Sequence, residues 1–411
     1  VCAIKRAEGI KMSQMAMLYK YEFRKIAKRK IIWISLLISV IIILPTIGGP
    51  VLDFLYESSG TETAYQAFLK DREYEKKLEG RLIDQSLLEE TMEAYGKIPQ
   101  TEGPYSATEE YRTYARPYSA IFRFVRVMTD MTVNESLNWE ADEQELYAGN
   151  RVLLMSTADR YRLTPEETEF WLRQEEQKPW PVEYRYKEGW WILLDCVYTI
   201  GLLAIMVTAI CLSGPFVEEH IRKTDQIILS SRYGRQPCFW AKFLAGLTFA
   251  LALSLFFTAV SFLTAFAVYG AEGFTADFRL TGGNFPSMTL GEAVLISYGC
   301  MTAAVLVAGA FVMVLSELLK SSIGALSLVT GMVLLSMWVD IPEHLRVLSQ
   351  IWSYMPSEFI AQWNLFNPRT VPLFGAFFLS WQVVPVLYLL LGLLFALTGR
   401  ALFVRYQVRG R

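Results

Sequence analysis

The stretch GPFVEEHIRKTDQIILSSRYGRQPCFWA, residues 214–241, lies between two long apolar runs and decides how the rest of the chain is interpreted. Phe216, Val217 and Ile221, then an apolar triplet at residues 227–229, recur at helical spacing, and charged residues lie among them. A Gly-Arg pair follows, where a turn would end a helix. The pattern predicts one amphipathic helix over residues 215–236, which connects two membrane-spanning helices on one side of a bilayer.

Six apolar stretches are about as long as the roughly 20 residues that a helix needs to cross the hydrocarbon core. They lie at residues 31–48, 190–212, 239–269, 292–315, 321–338 and 379–397. Pro385 lies near the start of the last stretch, where it would kink the helix or mark its first turn. The predicted fold class is therefore an all-α membrane protein with six transmembrane helices.

Lysine and arginine are unevenly distributed among the segments that connect these stretches. They are frequent before residue 31, in the segment after residue 212 and in the C-terminal tail. The connections 270–291 and 340–376 hold few of them. Because basic loops stay in the cytoplasm, we expect both termini to be cytoplasmic and the chain to cross the membrane six times.

Residues 49–188 would then form one large extracytoplasmic domain between the first and second transmembrane helices. This region has 17 Lys and Arg against 28 Asp and Glu, a net charge of −11. It contains no cysteine, so its own core must hold it together. Apolar residues at helical spacing and a Thr164-Pro165 helix start predict a mainly helical domain. Its acidity either keeps the domain soluble or attracts a cationic substrate such as a basic peptide.

The remaining domain boundaries follow from the same patterns. Residues 13–30 alternate apolar and basic residues and predict an interfacial amphipathic helix, although a basic stop signal without helical structure would look similar. Residues 31–48 are the first transmembrane helix, and residues 189–411 hold the other five with the predicted helix 215–236 between two of them.

Motifs for nucleotide binding and catalysis are missing from the sequence. There is no G-x-x-x-x-G-K-[ST] loop to hold phosphates, no H-E-x-x-H, and no zinc spacing of Cys and His. We therefore expect no enzyme activity, no metal and no cofactor in this chain. Three acidic residues fall within the apolar stretches or at their ends, namely Asp195, Glu292 and Glu317. Such groups are either close enough to the interface to reach water or functional.

Several of these features together resemble a known family. An acidic residue soon after the second stretch, an apolar triplet, a Ser pair, a Gly-Arg turn and Lys242 follow one another as in the permease subunits of ABC-2-type transporters. The basic run LYKYEFRKIAKRK (18–30) and the turn LSELLKSS (315–322) are also similar. A large domain after the first helix resembles one subfamily. Residues 224–225 are Thr-Asp where many members have Gly-Thr.

The resemblance implies a permease that couples ATP hydrolysis in a separate chain to the export of a peptide, drug, lipid or ion. It implies a homodimer, or a pseudo-symmetric heterodimer of permeases, in a bacterial plasma membrane. Cytoplasmic ABC ATPase subunits would bind ATP and Mg²⁺, and nucleic acid would not be a partner. The residues expected to contact the ATPase are Glu218, Glu219, Arg222, Asp225, Arg232 and Arg235. For the acidic residues the alternative is a solvated helix start, and for the basic ones a role in topology.

Two other functions remain open at this point. An ABC-type mechanotransmitter would move its outer domain and transport nothing, although such proteins usually have four spans. A receptor or immunity protein would bind a toxic peptide through the acidic domain without transport.

Overall fold

The computed structural model describes residues 2–55, 63–99, 105–231, 233–282 and 287–405 of the 411-residue chain. In these ranges the helices, in chain order, are α1 (Cys2–Ala27), α2 (Lys30–Gly48), α3 (Ala64–Leu78), α4 (Gln85–Gly96), α5 (Ser119–Thr129), α6 (Val133–Leu137), α7 (Glu143–Arg160), α8 (Pro165–Glu176), α9 (Glu188–Leu212), α10 (Glu218–Ile221), α11 (Asp225–Ser230), α12 (Gln236–Tyr269), α13 (Leu290–Leu319), α14 (Ser322–Trp338), α15 (Arg346–Ser353), α16 (Pro356–Phe359), α17 (Gln362–Leu365) and α18 (Ser380–Arg405). Short 3₁₀ and π turns connect some of them, and an antiparallel hairpin of β1 (Thr370–Leu373) and β2 (Ala376–Leu379) precedes α18.

Five helices in the described ranges are long and apolar enough to cross a membrane, namely α2, α9, α12, α13 and α18. The helix α14 is apolar but has 17 residues. At 1.5 Å per residue it is about 26 Å long, a little shorter than the ~30 Å hydrocarbon core. It runs from the turn after α13 to the end of the bundle at which the large domain lies. The protein is thus a mainly helical, multi-pass membrane protein, and a sixth crossing by α14 stays a prediction.

The centre of the helix bundle is α13, which packs against α9, α12 and α18. Buried Leu193, Val305 and Val384 come from three of these helices and belong to one continuous core. A hydrogen bond of 2.8 Å between Ser254 Oγ and Thr302 Oγ1 also joins α12 to α13. Because lipid is as apolar as these side chains, close packing and such polar contacts hold the bundle together.

The predicted interfacial helix over residues 13–30 is α1, which ends earlier than expected. Arg29 has an extended backbone and separates α1 from α2. Ile26 is buried, and α1 packs along the first turns of α12, whereas Met17 and Tyr21 are exposed. The helix therefore has one face on the bundle and another free for the membrane surface or a partner.

The large domain consists of α3 to α8, and its predicted helix start at Thr164 is confirmed. The Thr164 side chain accepts from the Glu167 N–H at 3.2 Å, and the Glu167 carboxylate accepts from the Thr164 N–H at 2.8 Å. Sequence analysis did not identify α7, whose cap is Asp142. The apolar residues of α7 do not recur at helical spacing in a clear stripe, so the sequence pattern did not predict this helix.

Buried Glu167 also fastens the domain to the connection between α14 and α18. Its carboxylate accepts two hydrogen bonds of 2.7 Å from Arg346, and two from Thr370, of 3.0 Å from N and 2.8 Å from Oγ1. At a second point, Glu272 pairs with Arg72 at 3.3 Å and Lys76 at 2.7 Å. The described parts of the connections, residues 270–282, 287–289 and 340–379, therefore lie at the same end of the bundle as the domain, which we call the domain end. The helix α1 and residues 213–231 and 233–235 lie at the opposite, terminal end.

Replacing Glu167 with Gln should destabilise this attachment by about 3 kcal/mol, because Arg346 loses its buried counter-charge. Burial would raise the pKa of Glu167, but hydrogen bonds, including those from Arg346 and Thr370, hold it below its usual value. The stabilisation is therefore present above the usual pKa and is lost as the pH falls through the lowered one. Thermal unfolding of the purified chain at neutral and acid pH measures both effects.

The matched control is Glu169→Gln, two residues away, where an exposed pair with Arg173 contributes little. Equal unfolding temperatures for the two variants at neutral pH would contradict the role given to Glu167.

Candidate functional site at the terminal end of the bundle

The predicted helix over residues 215–236 is two short helices, α10 and α11, with a turn between them. Lys223 has a positive φ of 54°. The Thr224 N–H donates to Glu219 O at 3.0 Å and the Lys223 N–H donates to His220 O at 3.2 Å, which is a Schellman ending of α10. The single-helix prediction is wrong for this reason. The segment has an anchored part, residues 214–220, and an exposed part, residues 221–231 and 233–235.

Arg29 holds the start of the anchored part. Its Nη1 donates to the backbone oxygen of Cys211, at the end of α9, at 3.0 Å. The guanidinium lies directly against Gly214, where a Cβ would come within 2.2 Å of Nη2. A side chain at residue 214 would therefore require the guanidinium to shift from its place beside the last turn of α9.

Glu219 and Lys242 form the central contact of the anchored part. Lys242 is 0% exposed although it follows the predicted re-entry to the membrane, and its Nζ lies 2.6 Å from Glu219 Oε1. The same ammonium donates to Pro215 O at 3.3 Å. Glu219 also pairs at 3.3 Å with Lys25 of α1, which in turn pairs with Glu22 at 2.9 Å. Two acids and two bases thus join α1, α10 and α12 in a charge-neutral cluster that is buried except for the partly exposed Lys25.

A second polar contact connects α10 to the end of α13. Glu317 is 1% exposed, and its carboxylate lies 3.4 Å from His220 Nε2 and pairs with Lys320. Lys320 Nζ also lies 3.0 Å from His220 Nε2. The turn between α13 and α14 is therefore attached to the same segment.

Aromatic side chains fill the space beneath these charges. Phe216 and Val217 are fully buried, and the Phe216 ring lies 5.7 Å from Phe239 of α12 and 6.0 Å from Phe403 of α18. The anchored part is thus in contact with α1, α9, α12, α13 and α18.

The exposed part has a different character. Ile221 and Ile227 are 71% and 73% exposed, and the Arg222 side chain is 70% exposed. Lys223 and Arg235 are also exposed. Gly234 turns the chain back against α11, where a Cβ would lie 1.5 Å from Ile228 O, so the turn requires glycine. Apolar side chains beside exposed basic residues form a surface of the kind that partner proteins cover.

The predicted site residues take different positions. Glu218 pairs at 2.6 Å with Arg222 on the surface of α10. Arg235 is also exposed, just before α12. Glu219 lies inside the anchored part. Arg232 and the side chain of Asp225 lie outside the described residues. Of these candidates, those on the surface are therefore Glu218, Arg222 and Arg235.

The three predicted intramembrane acids do not come together. Glu292 forms a capping box with Thr289 at the start of α13, which accounts for its position at a helix end. Asp195 lies on the exposed side of α9, and Glu317 belongs to the His220 contact.

Sequence analysis missed the anchoring roles of Lys25, Arg29, Lys242 and His220. Only Lys242 could have been recognised from the sequence. It lies about one and a half turns inside an apolar helix, where a lysine needs a buried counter-charge. In the described ranges, no three His, Cys, Asp or Glu side chains form a group that could hold a metal ion.

Replacing Glu219 with Gln should cost about 3 to 5 kcal/mol of stability, because the buried Lys242 ammonium loses its counter-charge. Replacing the neighbouring Glu218 with Gln should cost less than about 0.5 kcal/mol, because its pair with Arg222 is exposed. Thermal unfolding of the detergent-solubilised chain compares the two. Equal losses would show that Glu219 has no special structural role.

The chain matches the model of a known protein family over most of its length. The family model described as ABC-2 family transporter protein matches residues 16–360, which include the C-terminal part of α1, the large domain, the anchored and exposed parts and α12 to α16. No curated protein matches the chain. Since the matched range covers most of the sequence, the chain belongs to the ABC-2 family of transporter proteins.

Proposed function

We propose that this protein is the membrane-spanning permease subunit of an ATP-driven exporter, with ATP bound and hydrolysed by a separate cytoplasmic chain. The observation that carries the proposal is the division of residues 214–235 into an anchored and an exposed part. A subunit driven by another protein needs a surface for the partner and a rigid connection from that surface to its transmembrane helices. The exposed part offers the surface, and the anchored part offers the rigid connection.

The exposed part is suited to a partner with an acidic rim around an apolar groove. Ile221 and Ile227 would fill the groove, and Arg222, Lys223 and Arg235 would pair with acidic residues around it. No phosphate-binding loop occurs in the sequence, so the nucleotide must come with the partner.

The anchored part would pass the motion of the partner to the bundle. Buried ion pairs and close packing do not deform continuously, so a push on α10 displaces the attached helices together. Through Arg29, Lys242 and Glu317 the push reaches α9, α12 and α13 directly. Assembly as a dimer and outward movement of cargo belong to the same proposal.

The proposal requires the terminal end to face the cytoplasm. The side chains of Cys196, Cys211, Cys238 and Cys300 are buried, so replacing Cys2 with Ser leaves a suitable background for labelling. We expect a membrane-impermeant maleimide to label Val152→Cys in intact cells. Arg235→Cys should react only after permeabilisation.

Both positions are exposed, so a difference in labelling reports their side of the membrane. The reverse labelling pattern would place the exposed part out of reach of any cytoplasmic ATPase and would refute the proposal.

Contact with the ATPase is tested by co-expression of the full chain with a cytoplasmic ATP-binding-cassette subunit from the same organism. The variant Ile221→Glu/Ile227→Glu should reduce co-purification of that subunit at least tenfold, because two carboxylates would replace the apolar contacts. The control Val152→Glu makes the same kind of change on the exposed surface of α7 and should co-purify like the wild type. Unchanged co-purification of the double variant, with normal yield and unfolding temperature, would exclude this surface as the contact.

A further inference from the structure

A cavity of about 390 Å³ lies at the domain end of the bundle. It is enclosed by the end of α14, the short helices α15 to α17, Tyr198 of α9 and Tyr161 of the large domain. Its volume falls within the ~300–1,000 Å³ of small-molecule sites. None of the residues predicted to contact the ATPase lines it, so it is separate from the site at the terminal end.

The cavity has an excess of negative charge. It is lined by Asp340, Glu343 and Glu358, and in the described part of the chain none of the three has an ion-pair partner. The lining cation is Arg369, whose three nitrogens donate to neutral oxygens: Nε to Tyr161 O at 3.0 Å, Nη1 to Ser349 Oγ at 2.6 Å and Nη2 to Glu343 O at 2.9 Å. None of these bonds goes to a carboxylate, so the arginine shapes the wall and acts on Glu343 only through space.

Two of these carboxylates have an oxygen that is shielded from solvent and has no hydrogen-bond partner, Oε1 of Glu358 and Oε2 of Glu343. Nε1 of Trp352 in the same wall is also without a partner. Unsatisfied buried polar atoms are costly and rare in folded proteins. The two carboxylate oxygens are acceptors, so a group that brings positive charge or hydrogen-bond donors would complete them, whereas the Trp352 N–H requires an acceptor.

Aromatic rings make up much of the remaining wall. Tyr161, Tyr198, Trp352 and Trp363 line it, and the rings of Tyr198 and Trp363 lie 5.1 Å apart. Ring faces attract cations and accommodate apolar groups. Burial raises the pKa of Glu358 and, against the opposing charges of Arg369 and Arg160, that of Glu343. Both carboxylates are thus poorly hydrated, which strengthens their interaction with a cation.

We propose that this cavity binds an organic cation, in which an ammonium, phosphonium or guanidinium group is attached to an aromatic or apolar body. The charged group would lie between Glu343 and Glu358, and the apolar body against Tyr198 and Trp363. An organic cation is favoured over a metal ion because the wall combines aromatic rings with carboxylates. That this ligand is the cargo rests on the proposed transport function; the binding itself does not.

The test is equilibrium binding of radiolabelled tetraphenylphosphonium to the full chain in nanodiscs of zwitterionic lipid, without any ATPase. Tetraphenylborate has the same shape and the opposite charge, so it reports non-specific partition into lipid. We expect a saturable component of binding for the cation, and for the anion only the non-saturable partition into lipid. Glu358→Gln and Glu343→Gln should each weaken binding about tenfold, as expected for loss of one partly desolvated charge.

The control Glu73→Gln changes an exposed carboxylate of α3 and should bind like the wild type. Trp363→Leu keeps an apolar side chain at an exposed position and should weaken binding several-fold through loss of the ring face. Binding of both ions alike, or wild-type affinity in both glutamine variants, would overturn the cavity as a cation site.

The outcome is independent of the proposed function. If the cation binds but no ATPase co-purifies with the chain, the transport proposal fails and the site remains. If the ATPase binds and the cation does not, the site fails and the transport proposal remains.

Discussion

The buried ion pair between Glu219 and Lys242 is the contact on which the terminal end of the molecule depends. A lysine that is 0% exposed within an apolar helix is tolerated only with a counter-charge and further acceptors, and Glu219 and Pro215 O supply both. The pair fixes α10 against α12, and from there Lys25 brings in α1. Without it, the exposed part would be a loop between two helices and not a surface held in one position.

The two ends of the bundle share helices. Tyr198 lines the cavity and Cys211 receives the Arg29 hydrogen bond, and both belong to α9. Thirteen residues separate them, or about 20 Å along the helix axis. At the domain end, the bond network of Glu167 attaches the large domain to the connection that carries α15 to α17. A displacement of α9 would therefore change the cavity wall and its contact with the domain together.

Sequence patterns predicted the features that depend on neighbouring residues. The apolar runs predicted the long helices, and Thr164-Pro165 predicted the start of α8. They did not predict the break at Lys223, because a positive φ at a lysine cannot be recognised from residue types alone. The cavity was also missed, since Tyr161, Tyr198 and residues 336–369 meet only through the fold. Glu219 was assigned to the surface by its charge, and only its distance from Lys242 shows that it is internal.

If α14 crosses the membrane as predicted, its 17-residue length has a consequence for the surrounding lipid. A bilayer can match a helix shorter than its hydrocarbon core by thinning locally, and each ångström of mismatch costs a fraction of a kcal/mol. This deformation would lie on the α14 side of the protein, where Leu328, Leu334 and Leu335 are exposed. The acyl-chain length of the host membrane would then act on α14, and the end of α14 forms one wall of the cavity. Lipid composition would thereby influence the shape of the cavity.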